Sequence, residues 1–159
     1  REACGVAGEC GELSCAAACV ASAERASSCR GTCGLTTPRG AFGCYAVCIA
    51  GAERTSSCRA TCGGGSPCAD RGCYAACTAN GDPTSACVDV CGLDSACAHV
   101  GCYEACRMSG DATASCRSIC GVSDDACRDC GDVVTVREGC WAVCSARAGS
   151  PASCAETCR

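Results

Sequence analysis

The sequence predicts an all-α, disulfide-rich fold, a solenoid-like array of five short helical hairpins. The first observation behind this prediction is composition: 26 of 159 residues are cysteine, and only five are aromatic. The second is a unit of two Cys-x3-Cys pairs separated by nine residues, which occurs five times, four of them with a 29-residue period. Cysteine at this level marks a disulfide scaffold, and so few large apolar residues cannot form a sizeable core.

The repeat divides the chain into one continuous domain with a single irregular insertion. The fifth unit is delayed by nine residues because "CRDCGDVVTVREG" precedes it. The predicted segments are a partial repeat or linker at 1–14, hairpins at 15–34, 44–63, 73–92, 102–121 and 140–159, and the insertion at 122–139.

Each unit carries the signals of two short helices joined by a turn. Cysteines at i and i+4 lie on one face of a helix, about 6 Å apart along its axis. Gly81 and Gly110 stand where a first helix ends, and Asp82, Asp111 and Ser150 are candidates to cap the second helix. A glycine follows the last cysteine of the first four units, as is typical of a helix C-terminus.

Two antiparallel helices with such pairs predict two nested bridges per hairpin. The inner cysteines face each other across the turn, and the outer cysteines face each other one helical turn away. The alternative, first to third and second to fourth, would cross the bridges and needs a different chain path. The predicted bridges are Cys15–Cys33, Cys19–Cys29, Cys44–Cys62, Cys48–Cys58, Cys73–Cys91, Cys77–Cys87, Cys102–Cys120, Cys106–Cys116, Cys140–Cys158 and Cys144–Cys154.

Six cysteines remain outside these ten bridges, and they allow 15 connectivities. They are Cys4, Cys10, Cys68, Cys97, Cys127 and Cys130. One interpretation pairs them within the chain, as Cys4–Cys10, Cys68–Cys97 and Cys127–Cys130 or some permutation. The other makes them bridges between successive copies, because a contact that does not close on itself builds a filament.

An aromatic residue follows the first cysteine in four of the five units. These residues are Tyr45, Tyr74, Tyr103 and Trp141, whereas the first unit has Ala16. We interpret them as packing residues, each with its flat ring against the neighbouring hairpin. A row of aromatic side chains that binds a ligand is the alternative.

The cysteine spacing resembles that of the α-hairpinins, small secreted plant peptides built as a helical hairpin with two nested disulfides. The resemblance covers each unit separately and rests on the cysteines alone. Because some α-hairpinins are trypsin inhibitors, it implies a secreted serine-protease inhibitor as an alternative function. The basic residues in the inter-helix turns would then be the reactive ones: Arg25, Arg54 and Arg147.

The residues that usually carry catalysis are scarce, so we expect no enzyme activity and no cofactor. The one histidine, His99, stands in a predicted linker, and bridged cysteines are not nucleophiles. Cys127 and Cys130 form a Cys-x-x-Cys pair, but the strand–helix context of a redox motif is missing. Thiolates on helices also bind Cu(I), which leaves a cysteine-rich metal-storage protein as a further alternative.

Charge and hydropathy exclude other partner classes. The net charge is −4 with no basic run, which argues against nucleic acid, and no apolar stretch approaches 18 residues. Disulfides on this scale indicate an oxidising, extracellular location. We therefore expect a secreted or surface structural protein whose partner is itself. Residues 4–15 align with 91–102, as if an incomplete hairpin came first, which favours a repeat segment of a filament or surface layer.

Overall fold

The computed structural model describes residues 9–64, 66–128 and 134–159. These residues form ten helices and one two-stranded sheet, so the expectation of a mostly helical, disulfide-rich protein is confirmed. The helices are α1 (Glu9–Ala21), α2 (Ala26–Cys33), α3 (Pro38–Ala50), α4 (Thr55–Cys62), α5 (Pro67–Ala79), α6 (Thr84–Cys91), α7 (Ala96–Ser109), α8 (Thr113–Cys120), α9 (Val136–Ala146) and α10 (Pro151–Thr157). The strands are β1 (Ala126–Cys127) and β2 (Val134–Thr135).

The first helix of each hairpin is the longer one, and it begins before the hairpin's first cysteine. Thr37, Ser66 and Ser95 cap α3, α5 and α7 by accepting a backbone N–H three residues ahead, and proline follows the first two caps. Cys68 and Cys97 therefore belong to the first turns of α5 and α7, and not to the linkers in which the spacing placed them. The sequence analysis missed these caps because it began each hairpin at the unit's first cysteine.

The second helix of each hairpin is short, with eight residues in α2, α4, α6 and α8. A helix of this length is not stable alone in water. As expected, Gly34, Gly63, Gly92 and Gly121 end these four helices, each with a positive φ that L residues avoid.

Of the three residues expected to cap a second helix, only Ser150 is confirmed as a cap. Ser150 caps α10 and accepts from the Ser153 N–H, with Pro151 in the first helical position. The assignment of Asp82 and Asp111 as caps is wrong: Pro83 and Ala112 occupy those positions and make no side-chain cap bond. The two carboxylates bond to the neighbouring hairpin instead.

The ten helices form two layers. The first helices α1, α3, α5, α7 and α9 contact one another in chain order, and α2, α4, α6, α8 and α10 do the same beside them. The buried side chains are mainly cysteines, alanines and three tyrosines. No helix in the described part of the chain combines the length and hydropathy that crossing a membrane requires.

The insertion before the fifth hairpin contains the strands, which an all-α prediction did not include. They pair antiparallel, with Ala126 opposite Thr135 and Cys127 opposite Val134. Thr135 then begins α9 with a capping box, because its side chain accepts from the Glu138 N–H while Glu138 accepts from the Thr135 N–H. Two residues per strand are too few to leave a periodic signal in the sequence.

Candidate functional site

The hairpin cysteines bond the first helix of each unit to the second. Outer bridges join residues 18 apart and inner bridges residues 10 apart, with Cα–Cα distances from 5.6 to 6.0 Å. The bonds are Cys15–Cys33, Cys19–Cys29, Cys44–Cys62, Cys48–Cys58, Cys73–Cys91, Cys77–Cys87, Cys102–Cys120, Cys106–Cys116, Cys140–Cys158 and Cys144–Cys154. Each hairpin thus has a covalent centre.

One further bridge, Cys97–Cys127, ties the first turn of α7 to β1. The alternatives Cys68–Cys97 and Cys127–Cys130 are therefore wrong, and Cys127 does not bridge to another copy. The sheet holds Cys127 against α7, where it reaches Cys97. Cys4 and Cys130, and the side chains of Cys10 and Cys68, lie outside the described part of the structure, so their pairing stays a prediction.

The tyrosines pack between successive hairpins. Tyr45, Tyr74 and Tyr103 are each 1% exposed. A Cβ built on Gly72 would lie 2.6 Å from Tyr45 Cδ2, and one on Gly101 would lie 2.9 Å from Tyr74 Cδ2. The ring of one hairpin therefore needs a glycine on the first helix of the next. Sequence reasoning missed these glycines, although each directly precedes a first cysteine.

The tyrosine hydroxyls bind the end of their own hairpin. Those of Tyr45, Tyr74 and Tyr103 donate to the carbonyl oxygens of Gly63, Gly92 and Gly121 respectively. Burial raises the pKa of Tyr45 and Tyr74 above the ordinary value, and it raises the pKa of Tyr103 to about 12. Trp141, at the same position of the fifth hairpin, is only partly buried.

A second contact between hairpins uses the acidic residues of the turns. Glu53 Oε1 accepts from the Ala26 N–H at 2.9 Å, at the start of α2 in the preceding hairpin. Thr55 donates to Asp82 Oδ2 and Thr84 to Asp111 Oδ2, both at 3.2 Å. These three turn carboxylates repeat every 29 residues and join the second, third and fourth hairpins to the hairpin before each. The sequence analysis did not identify Glu53, and it assigned Asp82 and Asp111 to caps within their own hairpins.

The residue three before a first cysteine makes a third type of contact. Glu12 is 5% exposed and accepts from the Thr37 side chain at 2.7 Å and from its N–H at 3.1 Å. Burial alone would raise the pKa of Glu12, but hydrogen bonds from Thr37 and Thr36 hold it below its usual value. Asp70, 1% exposed, accepts from Ser95 at 2.6 Å in the same way. Both carboxylates thus fix the helix cap of the next hairpin.

The remaining candidate residues are engaged in different ways. His99, in the equivalent position of the fourth hairpin, bonds through Nδ1 to the carbonyl oxygen of Cys120. Arg25 and Arg54 are exposed, at the starts of α2 and α4, with extended backbone. Arg147 is not free in its turn, since it donates to the carbonyl oxygens of Asp111 and Arg107 at 2.9 and 3.0 Å.

One group in the described structure has the residue types of a metal site: Cys19, Glu24 and Cys29. The two cysteines are the inner bridge of the first hairpin, and the Glu24 carboxylate lies 3.9 Å from Cys29 Sγ. A disulfide offers no thiolate, so this group lacks the soft ligands that Cu(I) or zinc selects.

An open groove is lined by residues of α3, α5 and α7. It has a volume of about 540 Å³, and its lining includes Ile49, Ala75, Ala79 and Met108. The lining is mostly apolar, and its charged residues are Glu104 and Arg107.

No protein-family model, curated protein or solved structure matches this chain.

Gly72 provides a direct test of the tyrosine contact. In Gly72→Ala the new Cβ meets the Tyr45 ring, and overpacking of this kind typically costs about 1–3 kcal/mol. We expect that loss in the free energy of unfolding, measured by denaturant titration with the disulfides intact. In the matched control Gly31→Ala, an exposed helical glycine with no atom within 4 Å, we expect a gain of about 0.5–1 kcal/mol. Equal effects of the two variants would contradict the packing role.

Alkaline titration tests the burial of the phenols. An unfolded tyrosine ionises near pH 10, and the folded pKa is higher, so the unfolded state loses its proton first. The stability from the neutral phenols is fully present below about pH 10 and is lost as pH rises through the folded values. Spectrophotometric titration of the three tyrosines should show native midpoints well above that of reduced, denatured protein. Coincident midpoints, in a titration reversed to exclude disulfide damage, would refute the prediction.

Proposed function

We propose that the protein is an extracellular structural protein, without catalytic activity, that forms part of a self-assembled filament, surface layer or matrix. Its repeating unit is the nested, two-bridge hairpin. Five such units stack as a short solenoid in which each hairpin touches mainly its neighbours.

The recurrence of the contacts between hairpins carries this proposal. The Tyr45–Gly72 contact is repeated at Tyr74–Gly101 and at Tyr103–Gly139, where the ring lies 3.3 Å from a built Cβ. The turn carboxylates recur in parallel with them. Such repetition builds a stiff structure that further units can lengthen. A structure held by many disulfides persists in the oxidising extracellular environment.

The partner in this proposal is another copy of the chain. A head-to-tail arrangement does not extend the internal contacts unchanged, because Ser14 replaces the glycine of the first helix. Pro151 likewise replaces the threonine that donates to a turn carboxylate. A junction between a fifth and a first hairpin would therefore need contacts other than those inside the chain.

The proposed function can be tested by measuring how many cysteines are oxidised and whether the protein forms multimers. The experiment is intact mass after alkylation without reduction, beside a non-reducing gel and electron microscopy of the same sample. We expect no alkylation at the hairpin cysteines, together with ordered multimers. A monomer that shows no assembly at any concentration would contradict the structural role.

Protease inhibition is a second candidate, favoured by the exposed Arg25 and Arg54. Each lies in a turn closed by an inner bridge, with φ and ψ of −73° and 148° or −63° and 143°. A rigid, extended, basic residue is what a trypsin-like pocket accepts. If this candidate holds, the oxidised protein inhibits trypsin, and Arg25→Ala with Arg54→Ala abolishes inhibition. Arg30→Ala, an exposed arginine on α2, is the control. Absence of inhibition by the parent protein would exclude it.

A further inference from the structure

We infer that Asn80-Gly81 is a site of spontaneous deamidation that the second hairpin holds closed, so that separation of the second and third hairpins leads to a permanent new charge at Asn80. The inference assigns a covalent modification to the turn between α5 and α6. It does not depend on the proposed self-assembly, because it concerns the junction between two hairpins of one chain.

The sequence contains one turn that is suited to this chemistry. In an asparagine–glycine pair the main-chain nitrogen reaches the side-chain amide most easily, because glycine has no Cβ to shield that nitrogen. Asn80 is the only asparagine of the chain, and the chain contains no glutamine. Any side-chain deamidation of this protein therefore takes place at Asn80. The other four turns have different residues at the same position: Ser22, Gly51, Ser109 and Arg147.

The reaction is a ring closure followed by hydrolysis. The Gly81 nitrogen loses its proton to solvent and attacks Asn80 Cγ, so that a new C–N bond forms. The Cγ–Nδ2 bond then breaks, and Nδ2 leaves as ammonia after taking a proton from water. A water molecule opens the five-membered imide at either carbonyl carbon, which gives aspartate or isoaspartate. The net reaction converts an amide and water to a carboxylate and ammonium.

The second hairpin binds the leaving group of this reaction. Asn80 follows the last residue of α5, and its Nδ2 donates to the Glu53 carbonyl oxygen and to Thr55 Oγ1, both at 3.0 Å. Thr55 is 4% exposed and donates its own hydroxyl proton to Asp82 Oδ2. A carbonyl oxygen only accepts hydrogen bonds, so the nitrogen of the Asn80 amide, and not its oxygen, must face Glu53.

The nucleophile of the reaction is held by the backbone of α5. The Gly81 N–H donates to the Thr78 carbonyl oxygen at 3.0 Å, and the Asp82 N–H donates to that of Cys77 at 3.2 Å. A nitrogen whose hydrogen is bonded to a carbonyl oxygen does not give up that proton readily. Attack on the side-chain amide therefore requires the turn to open locally and Asn80 to leave the second hairpin.

Deamidation prevents the same contact from forming again. A carboxylate at position 80 accepts hydrogen bonds and donates none, so it cannot bond to the Glu53 carbonyl oxygen. It also adds a negative charge near Asp82, which shares the Thr55 hydroxyl with Asn80, and like charges repel. A product that favours the open state shifts the equilibrium between the two hairpins towards opening. The site thus converts a reversible separation into a permanent one.

The first test compares rates of deamidation near neutral pH, followed by intact mass spectrometry of the full chain. The reduced, alkylated chain in guanidinium chloride gives the rate of the open site. We expect the oxidised chain without denaturant to react at least about tenfold more slowly, because only its locally opened fraction reacts. Equal rates would overturn the closure of the site. Absence of deamidation in the unfolded chain over the same period would overturn the site itself.

Gly81→Ala tests the identity of the nucleophile. The added Cβ shields the nitrogen, so the variant should deamidate roughly tenfold more slowly than the parent when both chains are unfolded. The fold accommodates this alanine, because three other hairpins already have alanine with positive φ at the same position: Ala23, Ala52 and Ala148. An unchanged rate would contradict the attack by the Gly81 nitrogen.

Thr55→Val tests the role of the second hairpin. It removes one partner of Asn80 Nδ2 and should speed deamidation of the oxidised chain by roughly two- to tenfold, the effect of one net hydrogen bond. Thr84→Val is the matched control, because it removes the equivalent hydroxyl between the third and fourth hairpins and leaves the contacts of Asn80 in place. Its rate should stay within about twofold of the parent rate. Equal rates for the two variants would overturn the role of the second hairpin.

Hydrogen exchange tests whether the opening is permanent. The deamidated chain, separated from the parent by ion exchange, should exchange the Gly81 N–H at least about twofold faster than the parent chain, because the turn is open for a larger fraction of the time. Unchanged exchange throughout the turn between α5 and α6 would show that the product still closes, and would overturn the permanent separation.

Discussion

The disulfide between the two helices of a hairpin is the interaction on which the rest of the structure depends. The second helices are about two turns long, and no helix of that length is stable alone in water. The two bridges of a hairpin reduce the conformational entropy of the unfolded chain. In the chain-entropy model each bridge adds roughly 3 kcal/mol to the free energy of unfolding, and the second of a nested pair adds less. Once Cys44–Cys62 and Cys48–Cys58 join the two helices of a hairpin, the hairpin needs few large apolar side chains of its own.

The close approach of successive hairpins explains how so few large side chains hold them together. Gly72 and Gly101 let the next backbone approach a single tyrosine ring, and the phenol then spans its own hairpin to a terminal carbonyl. Glu53 accepts a backbone N–H at the start of α2, whereas Asp82 and Asp111 accept from the hydroxyls of Thr55 and Thr84, the first residues of α4 and α6. The helix dipole favours a negative charge at these helix starts. Phe42 and Met108 remain exposed in the first-helix layer, because no further layer of the described structure covers them.

The helical, disulfide-rich class could be predicted from the sequence because the residues that form the bridges are the same cysteines that show the 29-residue period. Sequence reasoning could not locate the helix starts at Pro38 and Pro67, because the cap signals precede the cysteine unit and the repeat drew its boundary at the first cysteine. It assigned Asp82 and Asp111 to local caps, since a lone sequence offers only local partners, whereas the structure offers Thr55 and Thr84 of the preceding hairpin. The Cys97–Cys127 bridge depends on a two-residue strand that no periodicity reveals.

The most direct measurement is helicity by circular dichroism during stepwise reduction without denaturant, with mass spectrometry to identify which bridges remain. If the hairpin bridges replace a core, helicity should fall as they are reduced, and the fully reduced, alkylated chain should be largely unfolded at neutral pH. Full retention of helicity and of cooperative unfolding in the alkylated chain would contradict the account, because packing alone would then hold the fold.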